Sequence, residues 1–510
     1  MAFQGTTMPP PSGGLDLVTP IDSMSPETAL ELVNVFPGAG APTVRLGYQQ
    51  FAYIGTAAPI KTLTTLNLKD GTSRLIAATD TKLYAITSAG TVTDITNATP
   101  HTDGDFQFVT FGNNLYLCNG ADSAQVWTGT GNATNVTFTG VTLSDLSNVT
   151  AYKNRLYFVE ANTSKMWYGG FQVTGTAATP ALTSFDFQYV FNRGGNLIAI
   201  GSFSTSTSMT AQDYFWACSS EGEIVFFNGT FAGDSTTWGL VARYFVGKPL
   251  GAKAFVRVNN DVLIITRQGI VPMSGLFISD PEASLDILSH NVNPIISEVA
   301  SLFGSDGQWT GFFWPQGRRV YIQIPTSGLG NYFLVYAIDT KAWTMFKLFD
   351  DKHMLSSCEF LNLPFYGSST GVIWQGETGQ ADAVTTTDSQ SIAFSGRMAF
   401  SFYGSRSNYK AFKDIRPILQ TRRGITLNLG LDTDFKRGPL TTAVTLPPSL
   451  FTPWGSPWGS PWSAGIEYVF DRFAVKGQGH CAAIRFGGGV KNSSMQIIGF
   501  EIRYDIGGQV

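Results

Sequence analysis

The sequence predicts an all-β chain: a six- or seven-bladed β-propeller, preceded by an N-terminal arm and followed by a C-terminal β-sandwich-like domain. Three observations lead there. Short apolar–aromatic strands separated by polar turns recur along the middle of the chain. Turn formers and aromatics are abundant, with 55 Gly and 13% Phe, Tyr and Trp. Charged residues make up 14% of the chain, against roughly 25% in an average globular domain. Long surface helices need Lys, Glu and Arg on their outer faces, whereas short strands joined by tight turns do not.

Residues 1–50 read as the arm, rich in Pro and Gly. One short helix is predicted over Ser25–Asn34. Ser25 is a good N-cap and Pro26 suits the first helical position. Leu30, Val33 and Asn34 continue at helical spacing, and Gly38 and Gly40 end the run.

Residues 51–385 carry the repeat. Thr81–Thr87 is followed by a turn and Thr91–Ile95; Asn113–Asn119 by a turn and Gln125–Trp127; Asn154–Glu160 by a turn and Lys165–Tyr168. In each, a polar turn leads into Leu-Tyr and a β-rich strand, then a second turn and a second strand. Looser copies follow at Tyr214–Phe227, Asn260–Met273, Arg319–Phe346 and Pro364–Trp374. Self-similarity of this kind marks a repeat architecture. Units made of hairpins without helices select a radial propeller, which closes into a ring because a lone blade leaves both faces wet. A helix is predicted over Asn293–Gly304, with Pro294 in the first turn and a closing Gly, packed on a blade edge or at a subunit contact. Residues 377–390 lack large apolar side chains other than Val384 and read as a linker.

Residues 386–510 form the third unit. Longer strands at Ile392–Phe402, Lys413–Gln420, Ile425–Leu431, Ala482–Phe486 and Gln496–Tyr504 suggest a sandwich. Its middle carries Trp454, Trp458 and Trp462 at a period of four, separated by Gly, Ser and Pro. Proline at that spacing excludes a helix stripe. The segment is either a loop covering its own sandwich or an arm docking into a neighbouring subunit.

The formal net charge is −4, which excludes the basic footprint of a tight nucleic-acid binder. Cys118, Cys218, Cys358 and Cys481 are scattered without a CxxC pair, so they read as small buried residues and not as a disulfide or zinc framework. The N-terminus lacks the pattern of a secretory signal, and no apolar run is long enough for a spanning helix.

The search for chemistry points away from an enzyme. His101, His290, His353 and His480 show no HxxxH or HExxH spacing, so a helix-borne zinc site is excluded. Gly367–Gly371 matches GxSxG, but a nucleophile elbow needs a following helix, and Val372–Trp374 is strand-like; a hairpin turn is expected. No metal and no cofactor is predicted. Basic residues gather at Thr421–Gly424 and Asp434–Gly438, expected to be hairpin tips that are either solvated or in contact with a partner.

The arm carries one further signal. Gly13, Gly14, Asp22, Met24, Pro26, Asn34, Pro37, Arg45 and Gly47 fall in an ordered string, Gly-Gly, Pro-Ile-Asp-Ser-Met-Ser-Pro, Asn-x-Phe-Pro, then Arg-x-Gly-Tyr. It resembles the opening of the tail hub, nozzle or DNA-stabilisation proteins of short-tailed phages. The resemblance spans about 36 residues; the blade pattern extends it more weakly, and the Trp segment has no counterpart. It implies a propeller with an added platform. It further implies a virion tail protein, assembled in the host cytoplasm, that forms a ring, usually a homohexamer. The ring would sit below the portal and adaptor proteins, meet distal tail or fibre proteins, and let packaged double-stranded DNA pass its lumen non-specifically before ejection. A weakly acidic channel wall would let phosphates slide, so few Arg or Lys are expected to face that lumen. The competing readings are a receptor- or glycan-binding tail protein and a monomeric bacterial propeller that binds a small ligand or protein.

Overall fold

A computed structural model describes residues 4–38, 40–176, 179–207, 210–278, 287–304, 309–325, 332–348, 354–383, 388–421, 423–441, 444–448, 467–469 and 471–509. The fold is all-β. A seven-bladed propeller is joined to a two-sheet sandwich, and the first and last described strands, Gln4–Met8 and Met495–Gln509, belong to the sandwich.

Blades 1 to 4 are four-stranded antiparallel sheets running from Thr62–Asn67 to Val92–Asp94, Gln107–Phe111 to Thr134–Asn135, Leu146–Tyr152 to Thr183–Asp186, and Leu197–Thr207 to Gly239–Phe245. Among the described residues blade 5 has three strands, Phe255–Val258, Asp261–Thr266 and Gly269–Pro272. Blade 6 starts at Thr310–Trp314 and ends at Ala342–Lys347. Blade 7 takes three strands from Met354–Phe360, Leu363–Ser368 and Val372–Gln375. Its fourth, Gln49–Tyr53, comes from the beginning of the propeller and pairs antiparallel with Val372–Gln375. One blade is thus assembled from the two ends of the repeat, which fastens the ring; the inner strands of blades 7 and 1 pack side by side.

The repeated sequence pattern marks the middle strands. Leu115, Tyr116, Leu156 and Tyr157 lie on second strands and are fully buried, because a middle strand is covered by a blade on each face and reads as a continuous apolar run. Inner strands were harder to see: Gln107–Phe111 alternates between half-buried and exposed. The first copy of the pattern is offset. Leu83–Ile86 is the third strand of blade 1, with Ser73–Ala78 in second place. Gly367–Gly371 forms the predicted hairpin turn between Leu363–Ser368 and Val372–Gln375.

The sandwich uses both ends of the chain. One sheet is built on Asn408–Thr421 and Met495–Gln509, with Gln4–Met8, Val35–Phe36 and Thr43–Val44 added to it. The other orders Thr28–Val33, Ile392–Met398, Ala482–Val490, Arg423–Thr433 and Val444–Pro448. Phe412, Ile415, Ile497 and Phe500 of the first sheet meet Phe394, Leu427, Ile484 and Phe486 of the second in one core. That core continues into blade 6 through Ile322, Leu334 and Trp343.

Four expectations are corrected. Ser25–Asn34 is not a helix: Thr28–Val33 is a strand paired with Ile392–Met398 and, at Val33, with Met345 of blade 6. The Ser25 carbonyl accepts the Thr28 N–H in a turn in place of a cap. Partner strands on both sides outweigh a weak local preference. The predicted N-terminal arm is therefore not a separate unit: Gln4–Met8, Thr28–Val33, Val35–Phe36 and Thr43–Val44 are strands of the sandwich and Gln49–Tyr53 belongs to blade 7. The 377–390 linker is in part ordered seam, since Asp382–Ala383 pairs with Gln49–Tyr53 and Ser389–Gln390. The basic Thr421–Gly424 stretch does not tip a hairpin within one sheet, because Asn408–Thr421 and Arg423–Thr433 belong to different sheets. Asp434–Gly438 does follow a strand as a turn, with Arg437 reaching Glu31 at 3.4 Å.

The predicted helix is present as Asn293–Phe303, with Gly304 closing it. It packs by Ile296 and Ala300 beside the last strand of blade 5. No helix among the described residues is long and apolar enough to cross a membrane.

Candidate functional site

Two constellations of charged residues sit in different surroundings: a dehydrated seam between propeller and sandwich, and a half-open cavity on the propeller axis.

The seam collects much of the N-terminal string. Arg45 is buried and forks onto Asp382 with Nη1–Oδ1 at 2.7 Å and Nη2–Oδ2 at 2.6 Å. Its guanidinium lies 5.6 Å from the Tyr48 ring centre and 5.2 Å from that of Phe346. Asp382 holds the Arg45 guanidinium above its ordinary value in spite of burial, while burial raises the Asp382 carboxyl against the opposing pull of Arg45 and the Tyr48 N–H. Beside them Glu377 is almost wholly buried; burial raises its carboxyl, and Arg319, at 3.3 Å, opposes that rise. The Arg319 guanidinium in turn covers the Phe36 ring at 4.2 Å.

Asn34 adopts φ +59°, a conformation Asn tolerates better than most residues. Its side chain donates to the Ala393 carbonyl at 2.7 Å and accepts the Lys347 N–H at 2.9 Å, so one residue ties the sandwich to blade 6. Gly47 is required by proximity: a Cβ there would lie 1.9 Å from the Ala381 carbonyl oxygen. Gly14 sits at φ +71° with blade 6 pressed against it, where a Cβ would lie 2.5 Å from the Trp343 carbonyl. Gly13 donates its N–H to Glu27 at 2.9 Å. Met24 and Pro37 are buried and Pro26 is exposed. Asp22 lies on the surface, 3.5 Å from Arg406. Trp454, Trp458 and Trp462 lie outside the described residues. Of the string, Asn34, Arg45 and Gly47 converge at the seam, Gly14 packs on blade 6, and Gly13 meets only Glu27 and Thr28 beside it. Asp22 and Pro26 take no part.

The axial cavity has a volume of about 810 Å³. It is walled by the inner strands of blades 1, 2, 5, 6 and 7 and by the turns that lead into them. Lys253, just before the inner strand of blade 5, bonds Asp105 before blade 2 and the Thr62 hydroxyl of blade 1. Both partners are three blades away, so the side chain crosses the axis. Lys61 is shared between Asp80 at 2.5 Å and Asp103 at 3.2 Å. Burial alone would lower the Lys61 ammonium, but the two carboxylates more than offset it and hold it above the usual lysine range. Arg257 and Glu359 also line the cavity; among the described residues neither has an ion-pair partner. Arg257 donates to the Asn259 carbonyl at 3.4 Å, and Glu359 accepts the Asn362 N–H at 3.0 Å. Sequence reasoning missed this cavity entirely, because its residues come from five inner strands with no shared motif.

His101 is buried with Nε2 at 2.7 Å from the Thr79 carbonyl. His480 and Cys481 both lie beside Asp434, His480 half-exposed with Nδ1 3.7 Å from the carboxylate and Cys481 buried. All four cysteines are buried free thiols. Among the described residues no group of three His, Cys, Asp or Glu side chains is placed to hold a metal.

No family model matches this chain, and no curated protein does. Solved structures share its propeller. A streptogramin B lyase is 13% identical with a TM-score of 0.41, covering 64% of this chain and 96% of the lyase. Virginiamycin B lyase from Staphylococcus aureus is 11% identical with a TM-score of 0.42, covering 64% and 98%. YCF48 bound to D1 peptide is 12% identical with a TM-score of 0.39, covering 69% and 99%. The likeness is one of fold.

Proposed function

We propose that this chain is a structural component of a short-tailed virus particle, a nozzle or hub subunit that assembles into a ring, extends the DNA channel and helps retain the genome. The single observation that carries the reading is the ordered string from Gly13 to Tyr48 in front of a propeller. The seam supplies a physical reason for several of its members: Asn34, Arg45 and Gly47 hold sandwich and propeller together as one body, which suits a load-carrying ring. The reading assigns no catalytic reaction.

Two further features support it. The outer strands of blades 1, 2 and 3 are short and largely polar, which protects them from pairing with other chains. Blade 4 ends on Gly239–Phe245, a longer edge that leaves Leu240, Val241 and Phe245 exposed. An apolar strand edge of this kind is suited to a subunit contact. The axis of each propeller is no DNA path, because Lys253 spans it and the cavity is of small-molecule size. In this reading DNA runs through the space that the ring encloses.

The test is microscopy of particles from a phage lacking the gene. Heads that package but leak DNA, with tails ending at the adaptor, are expected. Complete tails that keep DNA and fail to attach would replace the proposal with a receptor-binding role.

A further inference from the structure

We infer that the axial cavity is a binding site for a small neutral saccharide, independent of how the copies assemble. Four observations carry it. The volume of about 810 Å³ falls in the roughly 300–1,000 Å³ range of small-ligand pockets and suits a ligand of disaccharide size. The charge of the wall is balanced: Lys61, Lys253 and Arg257 face Asp103, Asp105 and Glu359. A net-neutral wall gives no anion or cation an advantage, while it offers donors and acceptors from opposite sides.

The wall also holds polar capacity that the protein does not use. Among the described residues Arg257 on blade 5 and Glu359 on blade 7 each make one bond to a backbone group and none to an opposite charge. Charged groups of this kind hydrogen-bond strongly to neutral hydroxyls.

Finally, Phe108 of blade 2 lines the cavity with 43% of its surface uncovered. Neighbours on its strand, Val109 and Phe111, turn away into the core between blades 2 and 3. A flat apolar face opposite polar groups suits the C–H face of a pyranose, whose rim of hydroxyls needs Arg257 and Glu359.

The experiment is saturation-transfer NMR followed by calorimetry on the full chain with lactose, maltose and chitobiose as probes. Free glycine and glutamate serve as charged comparators. At least one disaccharide is expected to bind, and Phe108→Ala and Glu359→Gln are each expected to weaken it by about tenfold or more. Both side chains are at least partly exposed, so both variants are expected to melt like the parent. No binding by any disaccharide at millimolar concentration overturns the inference. So does binding that neither variant changes, which would put the sugar elsewhere, and so does a preference for the amino acids.

Discussion

The seam and the axial cavity are built from the same chemistry and do opposite things. Each pairs Arg or Lys with Asp or Glu across elements distant in sequence. At the seam the Arg45 and Asp382 side chains are 2% and 1% exposed. In the cavity Lys61 and Asp103 are 37% and 40% exposed. A buried fork cannot release either partner, since the ion left behind would be dehydrated and alone. A half-wet pair is screened and weak, and it can be traded for contacts to a ligand. Burial, more than residue type, separates the structural charges from the available ones.

The sharpest way to break this comparison is to cut the fork. Arg45→Ala or Asp382→Ala is expected to cost about 3–5 kcal/mol by leaving an unpaired buried charge, read by urea unfolding. A loss as small as that of a surface pair would show that water reaches the seam. Gly47→Ala comes next: with Ala381 in the way, overpacking is expected to cost about 1–3 kcal/mol, seen as a lower Tm. Asn34→Ala removes two side-chain bonds across the seam and is expected to cost roughly 1–3 kcal/mol. Proteolysis releasing the sandwich from the propeller would report the same weakening.

The outer face of the sandwich stands between these extremes. Asp414 is held by Arg472 at 2.9 Å and by Arg503, and Glu501 by Arg472 at 3.0 Å and Arg416 at 3.1 Å. For Asp414, burial would raise the carboxyl, but the two guanidinium groups bring it below its ordinary value; for Glu501 the Arg472 hydrogen bond lowers it. A lowered folded pKa stabilises the fold above the ordinary carboxyl value. The contribution fades as pH falls through the lowered one. Stability is therefore expected to decline on acidification below about pH 4. Arg472→Ala is expected to flatten that decline in a series of thermal melts; an unchanged acid slope would show that the network adds nothing. The smallest effect is expected at the cavity. Lys61→Met, whose partners are half-exposed, should change stability by less than about 1 kcal/mol, measured by urea unfolding. A larger loss would move Lys61 into the structural class.

The legibility of the sequence follows burial in the same way. Middle strands such as Asn114–Cys118 and Arg155–Glu160 are covered on both faces, so their apolar runs announced blades. Inner strands such as Gln107–Phe111 put half their side chains on the axis, and their mixed composition concealed both the strands and the cavity. Ser25–Asn34 carried true helix signals that lost to strands arriving from residues 345 and 395–398. Glu377 and Asp382 sat in a stretch that looked like a linker because it lacks large apolar residues; their partners Arg319 and Arg45 are 58 and 337 positions away.

The sequence by itself determined what depends on neighbours in the chain: the all-β class, the hairpin repeat, the turns, the helix at Asn293–Phe303 and the long strands of the C-terminal half. Those features rest on periodicity and turn chemistry, which act over a few residues. Only the tertiary structure decided the seven blades, the closure of blade 7 by Gln49–Tyr53, the strand at Thr28–Val33, the seam and the axial cavity. Each depends on groups brought together from far apart, where burial and pairing outweigh local propensity.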